Sequence, residues 1–138
     1  VQNLDIAPTI LEYMGLNKPV WMQGQSLLGG ISVQRPIFAV GVASAEQGSD
    51  HFYRLNMEKI RPPFYQIGKI SVVYCQNWTR LSLTDFQVTS GTIEGYSAPC
   101  PDDALLSEEE AITLMIQHLQ ESGFDTSTLE AAFPQSVP

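Results

Sequence analysis

Apolar positions follow two rhythms along this chain. Near both ends they recur three or four residues apart, whereas from about 36 to 92 they run continuously or alternate, which predicts helices flanking a set of strands. The first helical stretch is "LDIAPTILEYMG" at 4–15, where Ile6, Ile10 and Met14 recur at i, i+4 and i+8 with Ala7 and Leu11 beside them. Asp5 stands where an N-cap belongs, Pro8 is tolerated in a first turn, and Gly15 is placed to close the helix. A helix this short does not hold in water by itself, so it requires a surface to pack on.

Residues 17–35 carry Gly, Pro and polar punctuation and read as a loop. "PIFAVGVA" at 36–43 reads as a buried strand, "AEQGSD" at 45–50 as a turn, and "HFYRLNM" at 51–57 as the partner strand. "RPP" at 61–63 interrupts the pattern. "FYQIG" and "KISVVYC" supply a third strand, or two strands joined at Gly68. "TRLSLTD" at 79–85 sets Leu81 and Leu83 against Arg80, Ser82 and Thr84, the alternation of a half-buried antiparallel strand. "QVTSGTIEGYS" at 87–97 is a weaker strand broken by Gly91. Connections this short favour antiparallel pairing, with a hairpin turning near Gln76-Asn77.

The clearest helix follows "PCPDD". Ser107 and Glu110 have capping-box spacing, three acids occupy the first turn, and Ile112, Met115, Ile116 and Leu119 form one apolar stripe closed by Gly123. A last short helix is expected from Thr126 to Phe133. The fold class is α+β: a small antiparallel sheet of about four strands packed against one long C-terminal helix, with a short N-terminal helix.

Composition narrows the function classes. No apolar run reaches the ~18 residues of a membrane helix, the longest being "IFAVGVA", and no basic segment leads into an apolar one as in a signal peptide. The chain opens on Val1 without an initiator Met, which is expected of a piece of a larger protein. All seven basic residues lie in 1–80 with five acids, whereas 81–138 holds ten acids and no Lys or Arg. A phosphate backbone would be repelled by that second half, so nucleic acid is not an expected partner. Cys75 and Cys100, 25 positions apart, fit no zinc spacing and are either a disulfide or two buried thiols. Asn77-Trp78-Thr79 is a formal glycosylation sequon and reads as a chance match.

The residues assemble no catalytic or metal site of their own. His51 beside Asp50 could offer a metal at most one pair of ligands, and His118 sits alone inside the long helix. Glu108, Glu109 and Glu110 suit a helix start, and Asp102-Asp103 a loop. Neither a phosphate loop nor a nucleophile elbow occurs, and Ser26 in "QGQSLLGG" has no adjacent base. The basic and aromatic segment 51–69, including "RPPFYQIGK", is the one stretch suited to contact a ligand. Within it His51 and Arg54 are the substrate-binding candidates.

The opening segment "VQNLDIAPTILEYMGLNKPVWMQGQSLLGG" resembles the sulfatase branch of the alkaline-phosphatase-like superfamily. Val1, Asp5, Pro8, Thr9, Leu11, Gly15, Pro19, Gly24, Ser26 and Leu27 carry the match, and "RPIFAVG" at 35–41 is similar to the strand that often follows. The resemblance covers about a third of the chain. It implies that 1–30 continue from an upstream catalytic domain, the first partner of this chain, and that 31–138 form a C-terminal α+β subdomain. The parent would be a hydrolase or transferase of sulfate or phosphate esters, periplasmic or membrane-tethered, using one or two divalent metals (Ca, Mg, Mn or Zn). The family's nucleophile and ligands lie upstream of the matched segment, so none maps onto this chain, and no cofactor is expected within it. "LSLTDFQVTSGTIEGY" does not reproduce the "LYDLxxDPxExxN" of soluble arylsulfatases, which directs the likeness toward membrane-tethered relatives such as phosphoglycerol or phosphoethanolamine transferases. A homodimer is the other way to cover the Ile6/Ile10/Met14 face. The alternative reading is a non-enzymatic binding module that uses 51–69.

Overall fold

The computed structural model describes residues 2–30, 35–43, 45–56, 62–95, 100–101 and 105–134. A 3-10 turn at Asn3–Asp5 leads into α1 (Ile6–Tyr13). Strands β1 (Ile37–Val42), β2 (Ala45–Gln47), β3 (Tyr53–Leu55), β4 (Ile67–Tyr74), β5 (Asn77–Ser82) and β6 (Val88–Thr92) follow, then α2 (Glu108–Glu121) and α3 (Ser127–Ala132). The chain is α+β. Its main sheet is antiparallel in the order β1-β4-β5-β6, and β2 and β3 form a separate two-stranded hairpin.

The expected pairing of 51–57 with 36–43 is corrected here. β3 pairs with β2, setting Arg54 opposite Glu46, because the Gly48–Phe52 turn closes locally through Gly48 N–H to Phe52 O and His51 N–H to Gly48 O. β1 pairs instead with β4, with Phe38 opposite Val72 and Val40 opposite Ile70. Gly68 does not divide β4 into two strands. A Cβ there would lie 2.2 Å from the Ala43 Cβ, so glycine is what lets the start of β4 pass beside the end of β1. Gly91 likewise stays within β6, because the Trp78 ring lies directly over it, 2.9 Å from where a Cβ would be.

Alternation decides which face of the sheet is buried. Ile70 and Val72 of β4 and Thr79 and Leu81 of β5 point inward, whereas Lys69 and Arg80 point out. α2 covers the inner face with Ala111, Ile112, Met115, Ile116 and Leu119, all buried. Its N-terminus is fixed by the expected box: the Ser107 hydroxyl accepts from Glu110 N–H, and the Glu110 carboxylate accepts from Ser107 N–H at 2.8 Å. At 14 residues α2 is about 21 Å long, enough to cross the sheet. Gly123, at φ +84, ends it. α3 adds Leu129 to the same core, and His118 stacks parallel on Phe38 with ring centroids 4.1 Å apart.

Two alternatives left open by the sequence are resolved. Cys75 and Cys100 form a disulfide, with Cα atoms 6.0 Å apart, that ties the β4–β5 turn to the segment leading into α2. The side-chain nitrogen of Asn77 is buried, which agrees with the sequon being a chance match. Among the described residues no helix is long and apolar enough to cross a membrane.

Leu81 is fully buried and pairs with Ile70 across the ladder. Leu81→Ala is therefore expected to cost about 3 kcal/mol of unfolding free energy in a denaturant titration. A cost below about 1 kcal/mol would mean that α2 does not close on the sheet.

Candidate functional site

Two places concentrate polar chemistry or open space. The first is built on Asp5. Its side chain is fully inaccessible, and although Asp5 occupies the expected N-cap position of α1, that side chain makes no capping hydrogen bond to the helix. It turns back to accept from Gln2 N–H at 2.8 Å and across the loop to accept from Gln25 N–H at 3.1 Å. Arg35, just ahead of β1, donates from Nη1 to both carboxylate oxygens at 2.9 and 3.0 Å. In the amide orientation that satisfies both partners, the Gln25 oxygen accepts from Arg35 Nη1 and Nε. One helix turn away, the Thr9 hydroxyl donates to Asp5 O at 2.6 Å and accepts from Leu27 N–H at 3.0 Å. Gly24, at φ +81, passes so close to Leu4 that a Cβ would sit 2.1 Å from its carbonyl oxygen.

Thus the carboxylate and hydroxyl of the α1 region are turned inward. Ile6, Ile10 and Met14, the stripe expected to seek cover, are each more than half exposed, as are Tyr13, Val20 and Trp21. Burial alone would raise the Asp5 pKa, but the Gln2 and Gln25 N–H donors and the Arg35 guanidinium outweigh it and hold the carboxyl below its ordinary value.

The second place is a cavity of about 790 Å³ at the end of the sheet. Val42 and Ala43 at the end of β1 form one wall, and the Pro62–Tyr65 turn forms another. Ile67, Gly68 and Lys69 of β4 and the Leu83-Thr84 turn complete it, with Asn56 reaching in from behind β3. The β1–β4 ladder shifts register at Gly41/Val42, a bulge in which Gly68 of β4 is the extra residue. Tyr65 sits at φ 51, a left-handed conformation uncommon for a bulky residue.

His51 and Arg54 do not line this cavity. His51, at φ 64, occupies the exposed β2–β3 turn, and Arg54 forms an exposed ion pair with Asp50 on the same hairpin. His118 is half-buried and stacks on Phe38. Among the described residues no three His, Cys, Asp or Glu side chains converge as a metal site requires. Asp102, Asp103, Lys59 and Arg61 lie outside the described residues. The sequence reading overlooked Arg35 as the partner of Asp5 and Lys69 as the cation of the cavity. The first had a signal, a lone Arg directly before a Pro and an apolar strand; the second depends on a bulge that no local pattern announces.

Compared with models of known families, with curated proteins and with solved structures, the chain matches none.

The lowered Asp5 pKa fixes the sign of a pH effect. The folded state holds this proton less tightly than the unfolded chain, so the stabilisation is present above the ordinary Asp value of about 3.9 and is lost as pH falls below it. Hydrogen-exchange protection of the Gln25 and Leu27 amides is expected to fall between about pH 5 and pH 3, beyond the change in intrinsic exchange rate. Asp5→Asn is expected to flatten that dependence; an unchanged profile in the variant would remove Asp5 as its cause.

Proposed function

We propose that this chain is the C-terminal subdomain of a sulfatase-like, metal-dependent hydrolase or transferase of sulfate or phosphate esters, completing the fold or the substrate cleft of its parent. One observation carries the reading. Asp5, Thr9 and Gly24, which bear the resemblance, act together as a joint: two side chains and one close-packed glycine bind helix to loop, and Arg35 ties Asp5 to the start of β1. The apolar side of that joint faces outward, as suits a surface that abuts a further domain. Among the described residues no three His, Cys, Asp or Glu side chains form a ligand set for a divalent metal.

A second reading, the binding module, is favoured by one feature. Much of the wall of the 790 Å³ cavity comes from the segment already singled out, between Asn56 and Lys69. Its volume falls within the roughly 300–1,000 Å³ usual for small-molecule sites.

The first reading is tested on the purified chain and on the longer coding sequence. The chain alone is expected to show no turnover of aryl sulfate or phosphate esters with Mg²⁺, Ca²⁺, Mn²⁺ or Zn²⁺. Metal-dependent turnover that copurifies with it would overturn the assignment. So would an upstream sequence without a Cys, Ser or Thr nucleophile motif and Asp/His ligands.

A further inference from the structure

Among the described residues the cavity beside β4 brings several apolar side chains together with one cation, Lys69, and that pairing defines a class of ligand. Phe64 and Leu83, 5% and 6% exposed, are its deepest residues, and Ile67 and Val42 widen the apolar surface. Lys69 stands on the opposite, outward side of β4 from the core residues. It pairs across the ladder with Gly41, where a Cβ would fall 2.4 Å from the Lys69 Cε. The lysine stem therefore lies down across β1 in space that only a glycine leaves open. Lys69 is also among the residues that line the cavity.

The electrostatics are unusual for this chain. The net charge is −8, yet no described residue lining the cavity is acidic, and among the described residues no carboxylate pairs with Lys69. A cation with no counter-charge among the described residues favours an anion locally, whatever the sign of the whole molecule. The other polar side chains at the wall are the Thr84 hydroxyl, bonded to that of Ser82, the Asn56 amide, which donates to Glu46, and the Tyr65 phenol. A wall that combines buried Phe64 and Leu83 with polar side chains suits a ligand that has both an apolar body and a polar end.

Resting on the second reading above, we infer that the cavity binds an amphipathic carboxylate. The apolar body packs against Phe64, Ile67 and Leu83, and the carboxylate accepts a charge-assisted hydrogen bond from Lys69 Nζ.

The probes are three isosteres: 4-phenylbutyrate, 4-phenylbutan-1-ol and 4-phenylbutylamine. Each is titrated into the full chain while the amide resonances of 64–69 and Leu83 are followed by NMR. The carboxylate is expected to bind at least tenfold tighter than the alcohol, and the amine most weakly. Lys69→Gln is expected to reduce the carboxylate to the affinity of the alcohol, Lys69→Arg to retain most of it, and Thr84→Trp, which fills the rim, to weaken all three. Equal binding of acid and alcohol by the wild-type chain, which needs no variant, would overturn the carboxylate and leave the binding module standing. So would a carboxylate affinity unchanged by Lys69→Gln in a chain whose other resonances show it folded. Failure of every probe to move these amides would overturn both.

Discussion

A carboxylate is tolerated without access to solvent only when protein donors replace the water it gives up, and the first thirty-five residues are arranged to do this for Asp5. Two backbone N–H groups and one guanidinium converge on its oxygens, drawn from three separate segments of chain. Each donor is fixed in turn. Gln25 follows Gly24, whose backbone only glycine can place beside Leu4, and Arg35 is held from its other edge by the Gln25 amide. The consequence is an α1 whose polar groups bind its own loop while Ile6, Ile10 and Met14 face out. Such a helix adds little to the hydrophobic core of this chain.

The remainder has its own means of support. α2 and α3 close one face of a four-stranded sheet, and the inward positions Ile70, Val72 and Leu81 meet Met115, Ile116 and Leu119 in one apolar cluster. That half needs nothing from α1 to bury its apolar surface. Stability and attachment are thus served by different residues. Leu81 belongs to the first, Asp5 to the second, and a change at one should leave the other largely in place, since separated sites without shared partners act nearly independently.

Local rules left clear marks on the sequence where local rules govern. The stripe of α2, its Ser107/Glu110 box and the left-handed Gly123 are set within a few residues of one another and were readable in advance. So was the alternation around Leu81, which a half-buried antiparallel strand imposes. Partner choice was another matter. β1 could not be assigned to β4 from pattern, because the short β2–β3 hairpin competes for the same neighbour and its closure depends on a His51 with positive φ. Asp5 stands at the N-cap position that its residue type suits, but its side chain makes no cap. What that side chain does depends on Arg35, thirty positions away, and sequence spacing carries no trace of that. The cavity was hidden for the same reason, being made by a bulge at Gly41/Val42 and by the Gly68–Ala43 approach.

β1 is the element that connects the joint and the cavity. Its first residues follow Arg35, which anchors them to Asp5, and its last residue, Val42, already lines the cavity. As an edge strand it is hydrogen-bonded on one side only, to β4, over six residue pairs. Its two ends are therefore held by unlike means: an ion pair at the start, which acid can release, and ladder bonds with close glycine packing at the finish, which acid does not touch. The residues on which the proposed assignment rests run as far as Gly41, and those that build the cavity begin at the next residue, Val42. The two functional readings thus meet at Gly41, which leaves room for the Lys69 stem, while each rests mainly on its own part of the molecule.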